Sequence, residues 1–344
     1  MYFLRKTFLL LIILSKYMPS YTQVKTPEDF GYRYIKTRFN GDPVDLLIQS
    51  KKGEETIKKP LFLFFQGSQP QPLIKTDGNN TYGVFPFNPD SLAEYCHLAI
   101  IGKPYIPVIA DKKDLGENMM YLDSAGNIPL KYAERNLLSY YTKRANAVIR
   151  YLQSQSFIDT KTLIVAGHSE GSTIAAGVAF TNKKVTCLIY SGGNPMGRMM
   201  SMIGPARFFE KDTASLTDDL FQRWEQVNAE PEKINYGKGD TNKSLAEFSV
   251  SMLPRLLALN IPVLVSYGSK DWCAPFNDYF HTECIRLKKR NIVFNTYIGT
   301  GHNYFPVNAT GNINYEVFNW DKVADDWLKW LKKQEHVIQN RIRN

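Results

Sequence analysis

Leu163-Ile164-Val165-Ala166-Gly167-His168-Ser169-Glu170-Gly171 is the stretch that decides how this chain of 344 residues folds. A short apolar run enters Gly-x-Ser-x-Gly and passes directly into mostly small residues, Ser172 to Gly177. The apolar run reads as a buried strand and the small-residue segment as a helix. A serine at the tip of so sharp a strand-to-helix turn takes strained backbone angles. Gly167 and Gly171 remove side chains that would strike the neighbouring strand and helix. The turn lifts the Ser169 hydroxyl clear of the sheet and aims the first helix amides at any oxyanion forming beside it. Ser169 is the candidate nucleophile.

Such a serine needs a base, and the base needs an orienting carboxylate. The chain has five histidines. His97 begins an apolar strand, His168 points away from Ser169 as its neighbour in the turn, His281 falls in a predicted helix and His336 in a basic tail. His302 stands apart. It follows the strand-like Ile292–Ile298 and sits in the glycine-rich loop Gly299-Thr300-Gly301-His302-Asn303-Tyr304. For the carboxylate, the strand-like Ile261–Tyr267 leads into Gly268-Ser269-Lys270-Asp271-Trp272-Cys273, in which Asp271 is the only acid. There it would accept from the imidazole Nδ1–H and fix its tautomer. Asp278, on the following predicted helix, is the weaker candidate.

Serine, aspartate and histidine in this order, each at the end of a predicted strand, resemble the α/β-hydrolase family. The resemblance runs from about Pro60 to Lys333, and the Gly-His-Ser-Glu-Gly turn is similar to those of bacterial esterases and single-domain relatives of prolyl oligopeptidase. It implies a mostly parallel eight-stranded sheet flanked by helices and a Ser169–His302–Asp271 triad. It also implies a second oxyanion donor before the elbow. Leu61-Phe62-Leu63-Phe64-Phe65 reads as a central strand and ends in Gln66-Gly67-Ser68-Gln69-Pro70. The family commonly places His-Gly-x here; this chain has Gln66 in place of the histidine. Ser68 N–H, paired with Glu170 N–H, is the expected oxyanion hole, with Gln69 N–H as the alternative. The Glu170 carboxylate is expected either in solvent at the helix start, where a negative charge is favoured, or facing the pocket, where it would welcome a substrate ammonium.

About seventy residues separate the predicted strand Lys184–Tyr190 from Ile261, more than one helix of this fold requires. The excess, about 193–256, is expected to form a helical cap. It contains the Met-rich run Arg198–Ile203, and Leu216, Leu220, Phe221, Trp224 and Val227 at near-helical spacing. Upstream, strands are expected at Tyr34–Phe39, Val44–Ser50 and Leu98–Gly102, long loops over 69–88 and 103–132, and a helix from about Glu134 to Ser154.

At the N-terminus, Arg5-Lys6 precede seven consecutive apolar residues, Phe8 to Leu14, and then Ser15, Pro19 and Ser20. A basic start, a short apolar core and a polar exit predict a signal peptide over 1–22 and a secreted or periplasmic hydrolase domain over 23–344. Seven apolar residues fall far short of the roughly 20 that span a bilayer. The chain is 44% hydrophobic and 13% aromatic, enough for a sizeable core. The formal charge of +9 is dispersed in small clusters without interleaved aromatics, which argues for a solvated surface and against a nucleic-acid partner. Four cysteines leave a Cys273–Cys284 bridge open, while Cys96 and Cys187 read as small buried residues. No spacing suits a metal, and no cofactor is expected. The leading expectation is an esterase acting through an acyl-enzyme on a small ester. A peptidase or aminopeptidase acting on a short peptide, and a binding protein without turnover, are the alternatives.

Overall fold

The computed structural model describes residues 25–78, 80–210, 215–237 and 239–343. The leader expected over 1–22 lies outside them. Eight strands form the main sheet: β1 (Arg33–Phe39), β2 (Asp42–Gln49), β3 (Lys59–Phe65), β4 (His97–Ile101), β5 (Ile158–His168), β6 (Cys187–Ser191), β7 (Val263–Gly268) and β8 (Ile292–Tyr297). Their spatial order is β1-β2-β4-β3-β5-β6-β7-β8. β2 runs antiparallel to both of its neighbours and every other pairing is parallel.

The apolar runs explain the layering. Successive strand residues point to opposite faces, so Leu61, Leu63 and Phe65 of β3 enter one core while Phe62 and Phe64 enter the other. β5 divides likewise, with Leu163 and Val165 against Ile164 and Ala166. Strands buried on both faces carry continuous hydrophobic runs. Helices α1 (Leu138–Gln153) and α2 (Glu170–Thr181) cover the first face, and α8 (Trp320–Arg343) covers the second with Trp320, Val323 and Trp327.

Between β6 and β7 lie α3 (Arg198–Phe209), α4 (Leu216–Ala229), α5 (Asn242–Phe248) and α6 (Leu253–Ala258). Met199, Val227 and Leu245 make a small core for α3, α4 and α5, with Leu220 and Trp224 packed against it. By contrast, Leu253 and Leu256 of α6 join the core beneath the sheet.

Two local expectations change. The helix expected from Glu134 begins at Leu138, because Leu137 takes extended angles and a separate turn, Leu130–Ala133, precedes it. The expected 69–88 loop contains the strands Ile74–Thr76 and Thr81–Tyr82, which form a second sheet with Ile109–Asp111. Strands of two or three residues are too short for alternation to reveal.

The open question of a Cys273–Cys284 bridge is answered by helix geometry. Cys273 caps the N-terminus of α7 (Ala274–Arg286) and Cys284 lies three turns along it. Eleven residues of helix span about 16 Å, while a disulfide needs Cα atoms about 4.4–6.8 Å apart. Both are buried thiols. No helix among the described residues is long and apolar enough to cross a membrane.

Candidate active site

Ser169 sits between β5 and α2 with φ 57° and ψ −126°, a backbone conformation costly for any residue but glycine. Its surroundings enforce it. A Cβ on Gly167 would lie 2.1 Å from the Gly171 carbonyl oxygen, and one on Gly171 would lie 2.0 Å from that of Phe65. Both distances are impossible contacts, so the two glycines set how closely β5, α2 and β3 approach. The Ser169 amide donates to the Ser191 carbonyl at 2.9 Å, tying the turn to the end of β6.

Asp271 and His302 arrive on loops leaving β7 and β8. The loops are joined mainly through main-chain groups: Lys270 N–H donates to the Thr300 carbonyl at 2.8 Å, and Ser269 N–H to that of Tyr297 at 3.0 Å. Gly299 N–H donates to Ser269 Oγ at 2.8 Å. Gly268 permits the approach, since a Cβ there would lie 2.3 Å from the Thr300 carbonyl oxygen. His302 Nδ1 lies 2.8 Å from Asp271 Oδ2, and Asp271 Oδ1 accepts from Cys273 N–H at 2.9 Å. The aspartate is buried while the His302 side chain is 37% exposed. Burial presses against the imidazolium, but the hydrogen bond and charge of Asp271 prevail and raise the His302 pKa above its ordinary 6.5. Asp278 instead accepts from Tyr267 OH at 2.5 Å.

Ser169, Asp271, His302, Ser68 and Glu170 all line one cavity of about 460 Å³, which Arg198, Met202 and Trp272 also line. A second cavity of about 440 Å³ meets it at Ser68, Ser169 and His302 and extends toward Lys75 and Trp320. The Glu170 amide opens α2, where N–H groups have no intrahelical acceptor. On the other side of Ser169, Tyr132 OH donates to the Ser68 carbonyl at 3.0 Å and Gln66 Nε2 to the Ile101 carbonyl at 3.3 Å, fixing the turn after β3. Gly67 lies against Ser169: a Cβ there would make an ordinary 3.9 Å contact with the Ser169 Cβ.

The Glu170 carboxylate corrects both expectations for it. It is neither solvated nor free to hold an ammonium; its side chain is 1% exposed and lies between Lys103 Nζ at 2.8 Å and Arg198. Arg198 also pairs with Asp240. Burial favours the neutral acid, yet the two cations outweigh it and hold Glu170 below the usual carboxylate range. On Lys103 burial dominates and pushes the pKa down. We read the pair as ionised, because Glu170 meets two cations at once.

His168 contributes more than its sequence position suggests. Its Nδ1 lies 3.0 Å from Ser191 Oγ and its Nε2 3.1 Å from Asn303 Oδ1, and its ring packs 4.9 Å from that of His302. Burial, with His302 alongside, holds it well below the ordinary histidine pKa. A neutral His168 thus backs the His302 loop.

Neither a family model nor a curated protein matches this sequence. Solved structures do match its fold. A putative dipeptidyl aminopeptidase IV from Bacteroides ovatus superimposes with a TM-score of 0.55 at 10% identity, over 88% of this chain and 35% of that one. Pyrococcus horikoshii acylaminoacyl peptidase does so with 0.50 at 12% identity, over 79% of this chain and 37% of that one. This chain therefore spans little more than a third of either protein.

The chain has the α/β-hydrolase fold. In that fold the three residues singled out in the sequence line one cavity at the carboxyl ends of β5, β7 and β8, and two of them, Asp271 and His302, share a hydrogen bond. Sequence reasoning missed Lys103, Arg198 and Asp240, which surround Glu170, and Lys75 in the second cavity. The only local signal for Lys103 is its place directly after an apolar strand. Arg198 and Asp240 leave none, since their partners at the site are distant in sequence, and Lys75 lies in a segment without a readable pattern. Among the described residues, no group of three or more His, Cys, Asp or Glu side chains is placed to hold a metal ion.

Proposed function

We propose that this α/β-hydrolase-fold protein is a serine hydrolase that cleaves small carboxyl esters through an acyl-enzyme. The observation that carries the reading is the His302 Nδ1–Asp271 Oδ2 hydrogen bond on the cavity that Ser169 also lines. With Nδ1 held by the aspartate, Nε2 is the ring nitrogen left to take a proton. Ser169 Oγ adds to the ester carbonyl as His302 Nε2 receives its proton. The resulting oxyanion accepts hydrogen bonds from the Glu170 and Ser68 amides. Collapse breaks the C–O bond, and the departing alkoxide takes the proton back from His302. Water then repeats the sequence on the acyl-enzyme, freeing the carboxylic acid and Ser169. Asp271, bonded to Nδ1, stabilises the transient imidazolium.

Ester chemistry is preferred to aminopeptidase chemistry because Glu170, the acid best placed to greet an N-terminal ammonium, is already engaged by Lys103 and Arg198. Export directed by residues 1–22 belongs to the same reading, and N-terminal sequencing of the mature protein tests it. A fluorophosphonate probe should label the protein once, with labelling abolished in Ser169→Ala. Labelling that persists in the variant overturns the assignment of the nucleophile. Faster turnover of aminoacyl amides than of acetyl or butyryl esters overturns the choice of substrate.

A further inference from the structure

The two cavities that meet at Ser169 differ in charge. The first is lined by three acids, Glu170, Asp240 and Asp271, with Arg198 the one Arg or Lys among them. Arg198 is engaged by Glu170 and Asp240. Among the described residues, the second has no acid in its lining and one lysine, Lys75. The carboxylates of the first cavity are already paired, Glu170 and Asp240 with Arg198 and Asp271 with His302, whereas an anion entering the second meets an ammonium that has no counter-charge.

Lys75 lies on the short strand Ile74–Thr76. Its ammonium donates to Gln71 Oε1 at 3.2 Å and to the Pro72 carbonyl at 3.4 Å, both neutral acceptors. Gln71 is held in turn by its Nε2, which donates to Gln69 Oε1 at 2.7 Å and to the Asn118 carbonyl at 2.6 Å. The lysine is thereby positioned by an amide relay that begins beside the turn bearing Ser68. No carboxylate lies within 4 Å of it among the described residues, unlike the buried Lys59 and Lys103, which pair with Glu54 and Glu170. Burial alone pushes its pKa down. A half-buried ammonium without a counter-charge is less stable than a paired one, and two of its three donors are occupied.

We propose that the second cavity receives a carboxylate carried by the substrate, with Lys75 as its counter-charge. This deepens the ester-hydrolase reading and rests on it, narrowing the substrate to monoesters of dicarboxylic acids or esters whose alcohol bears a carboxylate. A single ammonium matches one negative charge; a phosphate dianion would call for a second cation, and among the described residues the cavity lining supplies no other lysine or arginine. The carboxylate takes the vacant donor of Lys75, and its charge draws the ester toward Ser169 in one orientation.

The test compares matched esters. Mono-4-nitrophenyl glutarate against 4-nitrophenyl valerate places the carboxylate on the acyl side; 4-acetoxybenzoate against 4-methylphenyl acetate places it on the alcohol side. In at least one pair the carboxylated ester should have the higher kcat/KM. Lys75→Met, which keeps the apolar stem, should reduce that ratio by roughly ten- to hundredfold, the usual scale of a charge-assisted contact. Lys75→Arg should restore part of it. Taking ratios within one variant cancels any general loss of folded protein. If neutral esters turn over and neither pair shows a Lys75-dependent preference, the inference falls while the hydrolase reading stands. If no ester turns over, the hydrolase reading falls. Calorimetric binding of glutarate and benzoate to Ser169→Ala, with and without Lys75→Met, then decides the anion site alone: binding lost with Lys75 supports it, and binding absent or independent of Lys75 overturns it.

Discussion

His302 governs how the proposed reaction responds to pH. Only the neutral imidazole can accept the Ser169 proton, and Asp271 raises the pKa above 6.5 despite burial. The acid limb of kcat/KM should therefore lie above pH 6.5, with activity rising as the ring deprotonates. Asp271→Asn should shift that limb to lower pH and reduce kcat by a factor on the order of 10⁴. A pH–rate profile with an unmoved limb would contradict the pairing. Stability runs the other way. The ion pair formed by charged His302 contributes fully below the unfolded pKa and is lost as pH rises through the raised folded value, so the protein becomes active as it gives up that contribution. The gathering of Ser169, Asp271 and His302 at one cavity was legible because each position leaves a local mark: a glycine-flanked turn, or a polar residue just past an apolar strand. The state of the Glu170 carboxylate was not, because its partners lie 67 residues before it and 28 after it.

Among the elements, the start of β2 shows how a single carboxylate joins pieces that hydrophobic patterning leaves separate. Asp42 accepts from Tyr105 OH at 2.6 Å, from Tyr140 OH of α1 at 2.8 Å and from Arg135 Nε at 3.0 Å. Burial raises its pKa, but hydrogen bonds from Arg135, Tyr105 and Tyr140 overcome that and bring it down to about 2. A depressed carboxylate contributes stability above its unfolded pKa and loses it as pH falls through the folded one. Between pH 3.8 and about 2 this contribution should disappear. Asp42→Asn should cost about 1–3 kcal/mol at neutral pH and flatten the loss of stability across that window, as read from urea midpoints at each pH. Equal pH dependence in both proteins would show that the cluster contributes little. The central strands were legible because burial on both faces leaves unbroken apolar runs. The small second sheet escaped because strands of two or three residues impose no pattern.

Across the whole molecule, Lys103, Glu170, Arg198 and Asp240 tie the segment between β6 and β7 to the helix that begins at the elbow. Removing one member of a buried ion pair strands its partner in a medium that cannot solvate it. Glu170→Gln should therefore lower stability by about 3–5 kcal/mol. Adding Lys103→Met should recover part of that loss, because the stranded ammonium is then gone too. A double variant no more stable than Glu170→Gln alone would mean that Lys103 is not relying on Glu170. The sequence made the helical content of this segment legible through its excess length. Its attachment was not legible, because an isolated arginine has no period and declares no partner.

The joining of the β7 and β8 loops has an evolutionary consequence. Lys270 binds Thr300, and Ser269 binds Tyr297, through amides and carbonyls that every non-proline residue possesses. Apart from the small residue demanded at Gly268 and the Ser269 hydroxyl that accepts from Gly299 N–H, selection can rewrite those positions without parting the carboxylate from the imidazole. An architecture stitched in this way outlives the resemblance of its side chains, and descendants can drift until only the course of the main chain records a shared ancestry.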